Sequence, residues 1–111
     1  MDKAQRRAAS AAYKERPPAW GVYVIRCTTT GRQWVGASRH LDTQQNSFWF
    51  ALRTGGCLNK ALQSAWAESG EAAFVFEELH RLAPDTPDFR RGDLLKQQTA
   101  VFRDRLGADL V

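Results

Sequence analysis

No stretch of this 111-residue chain stays apolar for the roughly 18 to 20 residues that a membrane-spanning helix needs, and no signal-type apolar core follows its charged start. The sequence therefore reads as cytoplasmic. Cysteine is scarce: Cys27 and Cys57 lie far apart and match no zinc spacing, which points to two free thiols. His40 and His80 have no partner at metal-ligand spacing, so a histidine-based metal site is not expected. There is no internal repeat and no low-complexity tract. What is present is bulk, with four tryptophans and six phenylalanines, enough for one core in a chain too short for two domains.

Charge is uneven. Residues 1–40 carry eight cations (Lys3, Arg6, Arg7, Lys14, Arg16, Arg26, Arg32, Arg39) against Asp2 and Glu15, whereas residues 41–80 carry two against five acids and are acidic. Such an asymmetry suits a polyanionic partner, although a basic amino-terminal helix is as often a solvated face. Residues 2–14 are good helix formers with few large apolar side chains, so residues 1–19 read as a basic helix or arm that Pro17 and Pro18 end.

The most informative segment comes next. From Trp20 to Cys27 both parities are apolar, as in a strand covered on its two faces. Thr28 to Gly31 supply a turn, and Gln33 to Ala37 read as the returning strand of an antiparallel hairpin. Gly21 and Gly36 would let another group approach the backbone closely. Tyr23 and Trp34 would lie near one another. Aromatics on a hairpin ordinarily just bury area, and that reading stands beside any functional one.

Leu41 to about Leu52 forms a helix stopped by Gly55-Gly56, and Asn59 can cap a second helix carrying Leu58, Leu62, Ala65 and Trp66 that Gly70 closes. Phe74 to Phe76 make a third strand. Thr86 and Pro87 open a last amphipathic helix with Leu94, Leu95, Val101 and Phe102 as its docking residues, ended by Gly107. The fold class is α+β: a small three-stranded antiparallel sheet flanked by helices, with an extra amino-terminal helix. Its boundaries fall at residues 20–107, leaving 108–111 as a tail.

Gly21-Val22-Tyr23, then ten residues, then Trp34-Val35-Gly36 resembles the signature of the GIY-YIG nuclease superfamily, and the element order from Gly21 to Leu106 is the one that resemblance implies. The resemblance implies phosphodiester cleavage on nucleic acid, DNA ahead of RNA, with Mg²⁺ or Mn²⁺ as cofactor. It also implies a tyrosine assisting the attacking water, an arginine on the phosphate and a glutamate holding the metal.

Tyr23 supplies the phenol. Trp34 stands where the second tyrosine is expected, Gln44 near the arginine position and Gln98 near the glutamate position. An indole cannot relay a proton, and a neutral amide is a weak ligand for Mg²⁺. The candidate catalytic set is Tyr23, Trp34 and Arg39, with Arg32, Arg53, Asn59 and Lys60 as nucleic-acid contacts and the metal ligands unassigned. Three readings follow. The first is a domain that binds nucleic acid with cleavage weak or absent. The second is an active metal-dependent endonuclease using Arg39 or Arg53 with Glu77 or Glu78, and the third is a protein-interaction module.

Overall fold

The computed structural model describes residues 19–111, so the helix expected over residues 2–14 lies outside the described residues. Strand β1 (Gly21–Cys27) is the centre of the sheet. It pairs antiparallel with β2 (Gln33–Ser38), placing Tyr23 opposite Gly36 and Ile25 opposite Trp34. On its other side it pairs antiparallel with β3 (Phe74–Arg81), with a register shift between Val22 and Tyr23.

The sheet departs from the three-stranded expectation. A fourth, two-residue strand β4 (Asp109–Leu110) runs parallel to β2, giving the order β3-β1-β2-β4. Residues 108–111, read from sequence as a tail, are thus partly built into the fold. Gly107 at φ 59° turns the chain out of the last helix, and the Val111 N–H donates to the Val35 carbonyl at 3.1 Å. A pair of residues is too short to show strand periodicity, which is why the sequence did not reveal it.

Because β1 is apolar on both parities, each face recruits its own helices. Tyr23, Ile25, Cys27 and Trp34 face a cluster built with Leu41, Trp49 and Leu52 of α1 (Leu41–Thr54) and Leu62, Ala65 and Trp66 of α2 (Lys60–Ser69). Val22, Val24 and Val35 face α3 (Asp88–Leu106) through Leu95, with Leu94, Phe102 and Leu106 partly buried at its margin. Each large side chain moved fully out of water contributes roughly 1.5 to 3 kcal/mol. Both clusters therefore contribute, the first through its aromatics.

The helix signals worked mostly as chemistry dictates. Gly55 caps α1 at φ 78°, a left-handed conformation that only glycine adopts without strain. Asn59 caps α2, its Oδ1 accepting from the Leu62 N–H at 3.0 Å. At α3 the cap is Pro87, one residue later than Thr86, whose hydroxyl donates instead to the Ala83 carbonyl at 2.7 Å. Val101, expected to dock α3, is 39% exposed, because 3.6-residue spacing from Leu95 brings Phe102 inward and turns Val101 away. Strand β3 also runs five residues past Phe76. Its extension carries Glu77, Glu78 and Arg81, charges that suit an edge strand and hid it from an apolar search. Both cysteines are free, Cys27 buried and Cys57 partly so.

Candidate functional site

The site is built on the hairpin. Antiparallel pairing places Tyr23 and Trp34 on the same sheet face, the one that α1 and α2 cover. Tyr23 lies directly over Gly36: a Cβ on that glycine would stand 2.5 Å from the Tyr23 hydroxyl and 2.7 Å from its Cζ. Only a residue without a side chain leaves room for the ring. Phe76 of β3 stacks on the same ring at 5.0 Å, and Phe48 of α1 closes on it at 5.9 Å with a 59° tilt.

Tyr23 is almost wholly enclosed, at 2% exposure. Val111 contributes to this, since its Cγ2 also crowds the space above Gly36. Burial, and to a smaller extent the Cys57 thiol, holds the phenol pKa well above its ordinary value. A phenol in that state stays protonated at neutral pH and is a poor base.

Trp34 is fully buried. It stacks near Phe74 at 6.4 Å, and the Arg32 guanidinium lies 4.8 Å above its ring. Arg32 also pairs with Asp109 at 3.5 Å, so it ties β4 to the hairpin. The contacts of this tryptophan are thus packing contacts, with Arg32 linking its ring to β4.

The remaining candidates separate. Arg39 does not join Tyr23: its guanidinium sits 5.1 Å over Trp20, with Arg91 5.3 Å from the same ring, and Trp20 packs into the cluster on the α3 side. Arg53 is ion-paired with Glu71. Glu77 pairs with Arg26 at 3.1 Å, and Glu78 with Arg81 at 2.7 Å. Asn59 spends its oxygen on the α2 cap and its NH₂ on the Leu110 carbonyl at 3.0 Å. Lys60 is exposed. Gln98 is half-buried on α3, the helix that packs on the face opposite Tyr23.

Gln44 is the exception. It lines a cleft of about 540 Å³ with Ser47, Phe48 and Ala51 of α1, the Gly56–Asn59 turn, and Val111. Through Phe48, Cys57 and Val111 this cleft adjoins Tyr23 and Gly36. Ser47 lies in the helix expected from Leu41, between Gln44 and Phe48. Cys57 and Val111 were not foreseen: Cys57 follows the Gly55-Gly56 stop, but nothing in the sequence brings Val111 back to the hairpin.

The donor set does not fit a divalent ion. The cleft is lined by amides, a hydroxyl, a thiol and apolar groups, with no side-chain carboxylate. Among the described residues no group of three or more His, Cys, Asp or Glu could hold a metal. Mg²⁺ asks for hard anionic oxygens, which the side chains of this wall do not supply.

Two solved structures share the architecture. The catalytic domain of the intron endonuclease I-TevI, in an alanine-substituted form, superposes with a TM-score of 0.67 at 18% identity over 80% of this chain and 84% of that one. A second structure of the catalytic domain of homing endonuclease I-TevI gives 0.66 at 18% identity over 79% and 88%. The chain has a GIY-YIG-like fold. Family models and curated proteins return no match. No helix among the described residues is long and apolar enough to cross a membrane.

Proposed function

We propose that this GIY-YIG-like domain binds nucleic acid, DNA ahead of RNA, with phosphodiester cleavage weak or absent. The observation that carries the second half is the sealed phenol: Tyr23 is buried under Val111 beside a cleft with no charged side chain in its wall. Cleavage needs a proton acceptor, a cation for the developing charge and, in this family, a metal held by carboxylate. Here the first is desolvated, and Gln44 lines the cleft without charge near the position where the family places arginine.

Support for nucleic acid comes from the fold shared with a nuclease catalytic domain and from the basic amino-terminal third. Residues 19–111 hold eleven Lys or Arg against ten Asp or Glu, whereas residues 1–18 hold five against two. Most of the net +4 therefore resides ahead of the hairpin. The arm would supply the salt-sensitive grip and the domain the local contacts.

The test is a titration of short DNA and RNA at several salt concentrations, with and without Mg²⁺ or Mn²⁺, reading binding and cleavage together. Binding without metal-dependent cutting is expected. Robust Mg²⁺-dependent turnover abolished by Tyr23→Phe would establish an active endonuclease instead.

A further inference from the structure

We propose that the cleft beside Tyr23 accepts an unpaired nucleobase, so that a strand is held there by a splayed base and not by its phosphate. This rests on the nucleic-acid reading above and adds what the cleft itself recognises. At about 540 Å³ the space is within the range of small-molecule sites. No charged side chain lines it, so a phosphate would enter without a counter-charge and lose its hydration uncompensated. A nucleobase is neutral and pays no such cost.

The wall also offers what a base requires. Gln44, Ser47, Phe48 and Ala51 fall on one face of α1 at helical spacing. Gln44 is half-buried, and its amide makes no hydrogen bond among the described residues. A primary amide presents a donor and an acceptor side by side, the pattern that pairs with a base edge. One turn later Phe48 is partly exposed, its ring oriented by Tyr23 at 5.9 Å, and offers a stacking surface. The Ser47 hydroxyl donates to the Thr43 carbonyl at 3.2 Å and keeps its acceptor capacity. Lys60 is exposed and follows the lining residue Asn59 in sequence, so it is the nearest cation along the chain available to the strand's backbone. Because the amide can turn over, the cleft favours base over phosphate without fixing one base. Purines, with the larger stacking face, bind more tightly than pyrimidines.

The full chain is titrated at one salt concentration with an adenine-bearing single strand and with an abasic strand of equal length, and by NMR with adenosine and with inorganic phosphate. The abasic strand is expected to bind about tenfold more weakly, as the loss of one stacked base implies. Gln44→Ala should erase most of that difference while leaving the melting temperature unchanged, and Phe48→Leu should do so independently. Adenosine, not phosphate, should shift the Gln44 side-chain amide signals. Equal affinity for abasic and base-bearing strands, or a Gln44 response to phosphate alone, overturns the proposal and leaves nucleic-acid binding standing. If no strand binds, the nucleic-acid reading falls, and the adenosine titration decides the cleft by itself.

Discussion

Replacing Gly36 by alanine tests the geometry of the hairpin at its most crowded point. The new methyl would stand 2.5 Å from the Tyr23 hydroxyl and collide with Val111. Val111 lies at the partly buried margin of the cluster, and its side chain can rotate aside while its N–H keeps the bond to the Val35 carbonyl. Tyr23 cannot, because its ring is stacked on Phe76 at 5.0 Å and closed in by Phe48. Forcing a methyl into so filled a core costs about 1 to 3 kcal/mol. For a domain of this size the melting temperature should fall by about 5 to 15 °C. Urea unfolding of Gly36→Ala, of Val111→Ala and of the pair should show a coupling of about 1 kcal/mol, since the second change removes one of the colliding atoms. A loss under about 0.5 kcal/mol for Gly36→Ala, with no coupling, would refute the placement of Tyr23 over Gly36. Gly21→Ala provides a harsher comparison: its methyl would meet the His80 carbonyl oxygen and stand 3.1 Å from Arg81 Cα, backbone that cannot turn away.

Raising pH should unfold the domain through Tyr23. Its folded pKa lies above the unfolded value of 10.0, so its contribution is intact below that pH and is lost as the unfolded phenol ionises first, at up to about 1.4 kcal/mol per pH unit. Alkaline melts of Tyr23→Phe should be flatter than those of the parent, and identical slopes would contradict the burial. Gln44→Arg places a cation in a cleft without charged side chains and should steepen the salt dependence of single-strand binding by about 0.7 in the log-log slope. Deleting residues 1–16 removes five of the sixteen cations and should leave the melting temperature intact while reducing that slope; an unchanged slope would place the electrostatic contact elsewhere. Trp34→Tyr, Gln44→Arg and Gln98→Glu together should not restore Mg²⁺-dependent cleavage, since position 34 is fully buried and Gln98 rides the helix on the opposite face. Turnover by the triple variant in a plasmid-nicking assay would show that the scaffold still presents those positions.

Local chemistry was legible wherever one or two residues decide the structure. The double glycine after α1, the Asn59 cap and the two-faced apolar pattern of β1 each act through a neighbour within four residues or through periodicity, and each was visible in the sequence. What depends on distant contacts was not. Arg39 directly follows the end of a strand whose face alternates, and the sequence cannot say that Trp20 waits on the other side to receive it. Arg53 and Lys60 look alike as exposed cations, yet one is committed to Glu71 and the other pairs with no carboxylate among the described residues. The cleft depends on the return of residues 109–111 to β2, a long-range pairing of two residues with no local signature.

The hairpin motif places a packing demand and a chemical one on the same tyrosine, and the contacts around Tyr23 serve the packing demand. Burying an aromatic ring contributes roughly 1.5 to 3 kcal/mol, and an aromatic partner such as Phe76 adds about 0.5 to 1.5 kcal/mol. Both terms grow as water is excluded from Tyr23. Proton transfer requires the reverse, because every step of desolvation raises the energy of the phenolate. With Gly36 making room below and Val111 closing above, the balance at Tyr23 has moved to packing. The glycines and tyrosine of the motif therefore account for the hairpin's geometry without requiring it to cut. On α1, one helix turn before the Phe48 ring that closes on Tyr23, the Gln44 amide is without a hydrogen-bond partner among the described residues and faces the cleft.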